Sequence, residues 1–161
     1  MEHAKTNAMR MLDIAGIQYG TYAYDHRDGL IDGVSVASKI GRPVGQVYKT
    51  LVAQGHSRNY YVFIIPVAEE LDLKAAARAV GDKSVEMIKV ADLNKVTGYI
   101  RGGCSPIGMK KVYTTVLDKS CDNLDKIIIS AGKIGQQLEI SPKDLIKLLQ
   151  CKTEAIAVKH E

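Results

Sequence analysis

The sequence predicts a single α+β domain, in which helices pack outside a mixed, partly curled and barrel-like β-sheet. Apolar segments of strand length outnumber those of helix length. Two of them, 47–54 and 60–66, are separated only by the polar turn 55–59, which is typical of a β-hairpin. Helices interrupt the strands irregularly, which favours α+β over a doubly wound α/β fold.

Length and composition set the class of protein. The chain has 161 residues, of which 46% are hydrophobic and 25% charged, as in a soluble domain spanning 1–161. No apolar run approaches the roughly 20 residues that cross a bilayer. The N-terminal residues lack the apolar core of a signal peptide. We therefore expect a cytoplasmic protein with no membrane partner.

In the first part of the chain, the sequence predicts a helix, then a strand and then a second helix. Residues 6–15 form the first helix, with Gly16 as a left-handed cap. Its apolar residues follow helical spacing: Ala8, Met11, Leu12 and Ala15. A tyrosine-rich strand at 19–24 and the polar turn 25–29 come next. A short helix at 34–40 then ends at Gly41.

The remaining elements follow the central hairpin. Alanine-rich residues 71–80 predict a helix, and 85–90 and 92–96 predict a short extended segment and a short helix. Further strands are expected at 112–117, 126–130, 137–140 and 155–158. The last helix opens with Ser141 as N-cap, Pro142 at N1 and Asp144 at N3, a capping-box arrangement.

Cysteine and histidine spacing gives no metal site. Cys104 could sit in a functional loop, whereas Cys121 and Cys151 resemble small packed residues, and all three fit reduced thiols. The four histidines are scattered, at His3, His26, His56 and His160. We assign neither a metal nor a cofactor.

A net charge of +4 permits a polyanionic partner without demanding one. A solvated basic surface is an equal alternative.

Lys49 is the first candidate functional residue, because it is the one charged side chain in 47–54. On a strand it shares a face with Leu51 and Ala53. A lysine there is costly to bury unless its ammonium meets an anion or a cavity. The alternative is a lysine near a strand end whose ammonium reaches water.

A glycine-rich stretch, 98–108, is the second candidate. Glycine allows close approach of the main chain to a ligand, and successive N–H groups can bind an oxyanion or phosphate. A structural turn is the equal alternative. The pattern is neither GxGxxG nor a P-loop, which argues against nucleoside triphosphates.

Other candidates lie in the same loop and at strand ends. Cys104 and Ser105 invite a nucleophile interpretation, but no histidine or acid partner is identifiable, so covalent catalysis is disfavoured. The small residues 130–133 either line a pocket mouth or form a plain turn. Tyr24 either reaches into a pocket or is an ordinary sheet aromatic.

Seven short motifs resemble, in order, those of the YbaK-type Cys-tRNA(Pro) deacylases, relatives of the editing domain of bacterial prolyl-tRNA synthetase. They are YDH at 24–26, YKTL at 48–51, LKAAA at 73–77, TGY at 97–99, GGCSPIG at 102–108, SAGK at 130–133 and EISPKDL at 139–145. The resemblance covers about residues 5–158. Two departures affect the pocket mouth: Ala131 replaces a common glycine, and 28–38 matches poorly.

The resemblance implies an enzyme that strips cysteine from tRNA(Pro) in trans, with prolyl-tRNA synthetase as a further partner and no DNA partner. Sister families remove alanine. Lys49 matches the critical lysine and Gly102 the start of the pocket loop. The implied substrate-binding residues are Tyr24, Gly103, Cys104, Ser105, Pro106, Ser130 and Gly132.

The resemblance also implies a mechanism in which the substrate's own thiol attacks its ester and releases a thiolactone. Backbone amides near 102–104 would stabilise the oxyanion, and Lys49 would hold the acceptor end or polarise the ester. Arg101, Lys110 and Lys111 could contact phosphates or simply be solvated. The alternative function is a non-catalytic module that binds an aminoacyl or nucleotide-like ligand, or regulates a synthetase.

Overall fold

A computed structural model describes residues 4–159. His3 and His160 lie outside them. The helices are α1 (Asn7–Ala15), α2 (Gly33–Ile40), α3 (Leu73–Val80), α4 (Val90–Thr97) and α5 (Pro142–Leu149). The strands are β1 (Gly20–Ala23), β2 (Tyr48–Gly55), β3 (Tyr60–Pro66), β4 (Glu69–Leu71), β5 (Val85–Met87), β6 (Thr114–Asp118), β7 (Ile127–Lys133), β8 (Gln136–Ile140), β9 (Lys152–Glu154) and β10 (Ala157–Lys159).

The largest sheet has five strands in the order β5-β2-β3-β6-β9. The predicted hairpin is confirmed, since β2 and β3 pair antiparallel with Lys49 opposite Ile65. The pairs β3–β6 and β6–β9 are parallel, so the sheet is mixed as expected.

A second, antiparallel sheet has the order β1-β8-β7, and β4 pairs with β10 in a third. A parallel bridge between Val47 and Ile128 joins the start of β2 to β7. The sheets curl around a shared core without closing, which confirms the α+β prediction. None of the helices described in 4–159 is long and apolar enough to span a membrane.

Strand alternation divides the apolar side chains between the two faces of the five-stranded sheet. Val52, Val62 and Ile64 belong to the main core, which β7, β8, α1 and α5 also build. Ala53, Phe63 and Ile65 point the other way and pack with the alanines of α3. The sheet is therefore covered on both faces, and β2 is held between two packed layers.

Short strands account for most differences from the sequence prediction. The helix expected at 71–80 begins at Leu73, because residues 69–71 pair with β10 instead. The strand β9 was not expected at all. Three-residue strands carry little pattern of their own, and their partners determine them.

The capping-box prediction for α5 is wrong. Ser141 has the extended backbone of an N-cap, but its side chain makes no capping hydrogen bond. Proline at N1 lacks an N–H and already has a helical φ, so this helix starts without that bond. Side chains do cap other helices, at Thr6, Asp32 and Asp72.

Candidate active site

A cleft of about 710 Å³ opens at the start of β2. Its walls come from β2, the first turn of α2 with the loop before it, residues 87–93, and the glycine loop after α4. Ser130 and Gln137 close it from the three-stranded sheet. The volume lies within the usual range for small-molecule sites.

The backbone of β2 contributes an open strand edge to the cleft. In the hairpin, the Gly55 N–H donates to the Asn59 carbonyl at 2.8 Å, so alternation turns the backbone groups of Thr50 and Val52 to the opposite edge. There the Val52 carbonyl accepts from the Ile88 N–H at 3.1 Å, after which β5 separates from β2. The amide and carbonyl of Thr50 therefore face the cleft and can bind polar ligand atoms.

The Lys49 side chain lines the cleft and is half-buried. As predicted, it shares a strand face with Leu51 and Ala53. Burial lowers the pKa of Lys49, and the nearby charge of Glu70 partly opposes that shift. Among the described residues the ammonium has no hydrogen-bond or salt-bridge partner. It is therefore available to an anionic or strongly polar ligand group.

Thr50 is a site residue that sequence reasoning missed. Its hydroxyl is buried in the cleft wall without a hydrogen-bond partner among the described residues. An unsatisfied buried hydroxyl costs about 1–3 kcal/mol. Thr50 belongs to the motif YKTL at 48–51, but a β-branched residue is ordinary on a strand, so the motif did not single out its hydroxyl.

Gly102 is required where the glycine loop meets the segment that precedes α2. Its φ of +84° lies in the left-handed region, and a Cβ there would lie 2.6 Å from Ile31 Cδ1. The Gly103 N–H donates to the Ile100 carbonyl at 3.0 Å within a turn. Of the three amides expected to bind an oxyanion, at 102–104, those of Gly102 and Cys104 therefore remain as candidates.

The residues of the loop that could act as nucleophiles are poorly placed to do so. Burial raises the pKa of the Cys104 thiol to about 11, so it is protonated at neutral pH. Ser105 is fully buried, and its hydroxyl accepts a hydrogen bond from the Ile107 N–H at 3.2 Å. This serine supports the loop, and neither residue has the activated form that nucleophilic catalysis needs.

Of the predicted site residues, the cleft lining contains Lys49, Gly102, Cys104 and Ser130. The others are not among the lining residues: Tyr24, Gly103, Ser105, Pro106 and Gly132. The Ser130 hydroxyl accepts from the Gly132 N–H at 3.1 Å, so these two form one turn at the bulge of β7.

Tyr24 does not line the cleft but is buried beside Lys39. It is 8% exposed, and its hydroxyl has no hydrogen-bond partner among the described residues. The Lys39 Nζ lies 5.8 Å from the centre of its ring. That ammonium donates to Asp28 Oδ1 at 2.7 Å and to the Leu30 carbonyl at 3.0 Å. Lys39 therefore holds the loop that leads into α2.

The poorly matching segment 28–38 turns out to build a whole wall of the cleft. Asp32 caps α2, and Gly33 lets the helix approach closely, since a Cβ there would lie 2.2 Å from Val67 Cγ1. The lining residues from this segment are Gly29, Ile31, Asp32, Gly33, Val34 and Val36. An aspartate before a short helical pattern is the signal that could have placed this wall.

The basic residues named from sequence separate into two places. Arg101 lines the cleft, whereas Lys110 and Lys111 lie beside a smaller groove.

The curled mixed sheet and its cleft define a class of small α+β domain, in which the cleft is lined by Lys49, an open strand edge and a glycine loop. Residues 32–148 match the aminoacyl-tRNA editing domain, and the chain belongs to this family. This confirms the resemblance seen in the sequence motifs.

A curated relative from Enterococcus faecalis (strain ATCC 700802 / V583) bears the name "Putative Cys-tRNA(Pro)/Cys-tRNA(Cys) deacylase EbsC". It is 43% identical over 156 residues, which are 97% of this chain and 95% of the relative.

Two solved structures share the fold. The "hypothetical protein APE2540" has a TM-score of 0.84 at 18% identity, with 92% of this chain and 97% of that chain covered. A "putative trans-editing enzyme for prolyl tRNA synthetase" has a TM-score of 0.79 at 21% identity, with 98% and 100% covered. At these identities the likeness shows the architecture alone.

Proposed function

We propose that the chain is an aminoacyl-tRNA deacylase that edits mischarged tRNA in trans, with Cys-tRNA(Pro) as its substrate. The observation that carries this is the 43% identity to the Enterococcus protein over nearly the full length of both chains. Membership of the editing-domain family and a cleft of about 710 Å³ around Lys49 support it.

In the proposed reaction the sulfur of the bound cysteine attacks its own ester carbonyl carbon. The bond from that carbon to the tRNA 3′-terminal ribose oxygen breaks, and this oxygen leaves with the proton of the thiol. A thiolactone and free tRNA are the products. The enzyme supplies no nucleophile, which agrees with the protonated Cys104 and the buried Ser105.

The protein's contribution is position and charge stabilisation. Fixing the thiol and the ester in near-attack geometry can supply up to roughly 7–11 kcal/mol. The amides of Gly102 and Cys104 would donate to the developing oxyanion, and each such donor is typically worth about 2.7–4 kcal/mol. Lys49 would hold the acceptor end or polarise the ester. The backbone amide and carbonyl of Thr50 would bind the aminoacyl group.

Deacylation of Cys-tRNA(Pro), Ala-tRNA(Pro) and Pro-tRNA(Pro) by the purified protein tests the proposal. We expect turnover of Cys-tRNA(Pro) and none of correctly charged Pro-tRNA(Pro). Turnover of none of the three would instead identify a non-catalytic binding module. Adding prolyl-tRNA synthetase to the assay tests whether it is a direct partner, because a partner would raise the rate on tRNA(Pro) selectively.

A further inference from the structure

The net charge of the chain comes from one segment. Residues 89–111 contain five basic side chains and one acidic one, Asp92. The whole chain has 22 basic and 18 acidic residues, so the rest holds 17 of each and is neutral. The five basic residues are Lys89, Lys95, Arg101, Lys110 and Lys111.

This segment separates the cleft from a second groove. Val90 and Leu93 of α4 line the cleft, whereas Lys95 and Val96 of the same helix line a groove of about 170 Å³. The other residues of that groove are Tyr60, Lys110, Lys111 and Tyr113. Basic residues therefore lie at both cavities beside α4, with Lys89 and Arg101 at the cleft and three lysines at the groove.

The groove has an aromatic floor and a cationic rim. The rings of Tyr60 and Tyr113 meet edge to face with centres 6.1 Å apart. The Tyr113 hydroxyl donates to the Val96 carbonyl at 2.6 Å, which ties this floor to α4. The three lysines of the groove are all exposed. Lysines beside aromatic rings suit a nucleic-acid strand, whose phosphates need cations and whose riboses and bases pack on rings.

We propose that this groove binds the sugar–phosphate backbone of the tRNA acceptor stem while the 3′ end occupies the cleft. The inference rests on the proposed function. An eight-residue helix such as α4 is about 12 Å long, so a strand whose 3′ end enters the cleft reaches the groove within a few nucleotides.

The lysines of the groove are not equivalent as test positions. The Lys110 backbone N–H donates to the Thr97 carbonyl at 3.0 Å, and its side chain lies over Gly98 at the end of α4. Replacing it could loosen the helix. Lys95 and Lys111 are exposed, and no such contact involves their side chains among the described residues.

The test compares Lys95→Gln/Lys111→Gln with a control, Lys143→Gln/Lys147→Gln. The control changes the net charge equally but on α5, which lines neither cavity. Fluorescence anisotropy measures the binding of tRNA(Pro) that carries no amino acid, over a range of salt concentrations. We expect the groove variant to bind more weakly, with the slope of log K against log salt reduced by roughly 0.7–0.9 for each phosphate that the protein no longer neutralises. The control should match the wild type.

Equal affinity and slope in the groove variant and the control would overturn the proposal. A kinetic readout separates it from the proposed function. On Cys-tRNA(Pro) the groove variant should show a raised KM with unchanged kcat, and on a cysteinylated CCA trinucleotide it should equal the wild type. A wild-type protein that binds tRNA through the groove but deacylates nothing would contradict the proposed function and leave the groove supported.

Discussion

At the scale of single residues, Lys49 lowers the stability of the fold. Its pKa in the folded protein lies below the 10.5 of an unperturbed lysine, because burial disfavours the charged form. The ammonium therefore destabilises the protein at neutral pH, and this destabilisation is relieved as the pH rises toward 10.5. A half-buried ammonium that lines a cleft is therefore expected to act on a ligand.

Lys49→Met keeps the aliphatic stem and removes the charge. We expect deacylation of Cys-tRNA(Pro) to fall by about 100-fold or more. The melting temperature should stay equal to that of the wild type or rise. Single-turnover kinetics and thermal unfolding check the two effects. A folded Lys49→Met protein with the wild-type rate would remove Lys49 from the site.

Cys104 tests the source of the nucleophile. With a pKa raised to about 11, its thiol is protonated throughout the neutral range. Cys104→Ala should keep most of the activity, and the rate should still rise with pH through the ionisation of the substrate's thiol. A pH profile from about 6 to 9 for both proteins, across the range where a free thiol begins to ionise, measures this. Loss of activity in a folded variant would favour an enzyme-borne thiol.

At the scale of elements, the glycine loop and the segment before α2 meet in the cleft wall, at Gly102 and Ile31. Gly102→Ala would force a side chain into a left-handed backbone and against Ile31 Cδ1. We expect a decrease of about 1–3 kcal/mol in the free energy of unfolding and a larger fractional decrease in activity. Urea unfolding and deacylation assays measure the two.

Ile31→Val removes the clashing Cδ1 atom but not the backbone strain. The double variant Gly102→Ala/Ile31→Val should therefore be more stable than Gly102→Ala alone, though less stable than the wild type. Strictly additive effects of the two substitutions would mean that the contact between Gly102 and Ile31 does not position the loop.

The helix caps give a second prediction at this scale. Ser141→Ala should change stability by less than about 0.5 kcal/mol, since its hydroxyl caps nothing. Asp72→Ala should cost about 1 kcal/mol, because the Asp72 carboxylate accepts from the Ala75 N–H at 3.1 Å. Chemical denaturation of both variants checks the contrast. Equal effects on stability would contradict these cap assignments.

At the scale of the whole molecule, apolar periodicity predicted the hairpin, all five helices and the mixed sheet. It could not predict β9 or the pairing of β4 with β10, because these three-residue strands depend on distant partners. The lysine and the glycine loop were visible as unusual local chemistry. The Thr50 hydroxyl was not, since it gains its role only when the walls of the cleft come together, whereas α2 was predicted as a helix but not as one of those walls.

The central claim is that the folded chain positions an aminoacyl ester for attack by the substrate's own thiol. Single-turnover deacylation of Cys-tRNA(Pro) and Ser-tRNA(Pro) tests it most directly, because the two substrates differ by one sulfur-to-oxygen replacement. The account predicts rapid release from Cys-tRNA(Pro) and a rate near the uncatalysed one for Ser-tRNA(Pro). Equal rates on the two substrates would show that water or an enzyme group attacks the ester, and would contradict the account.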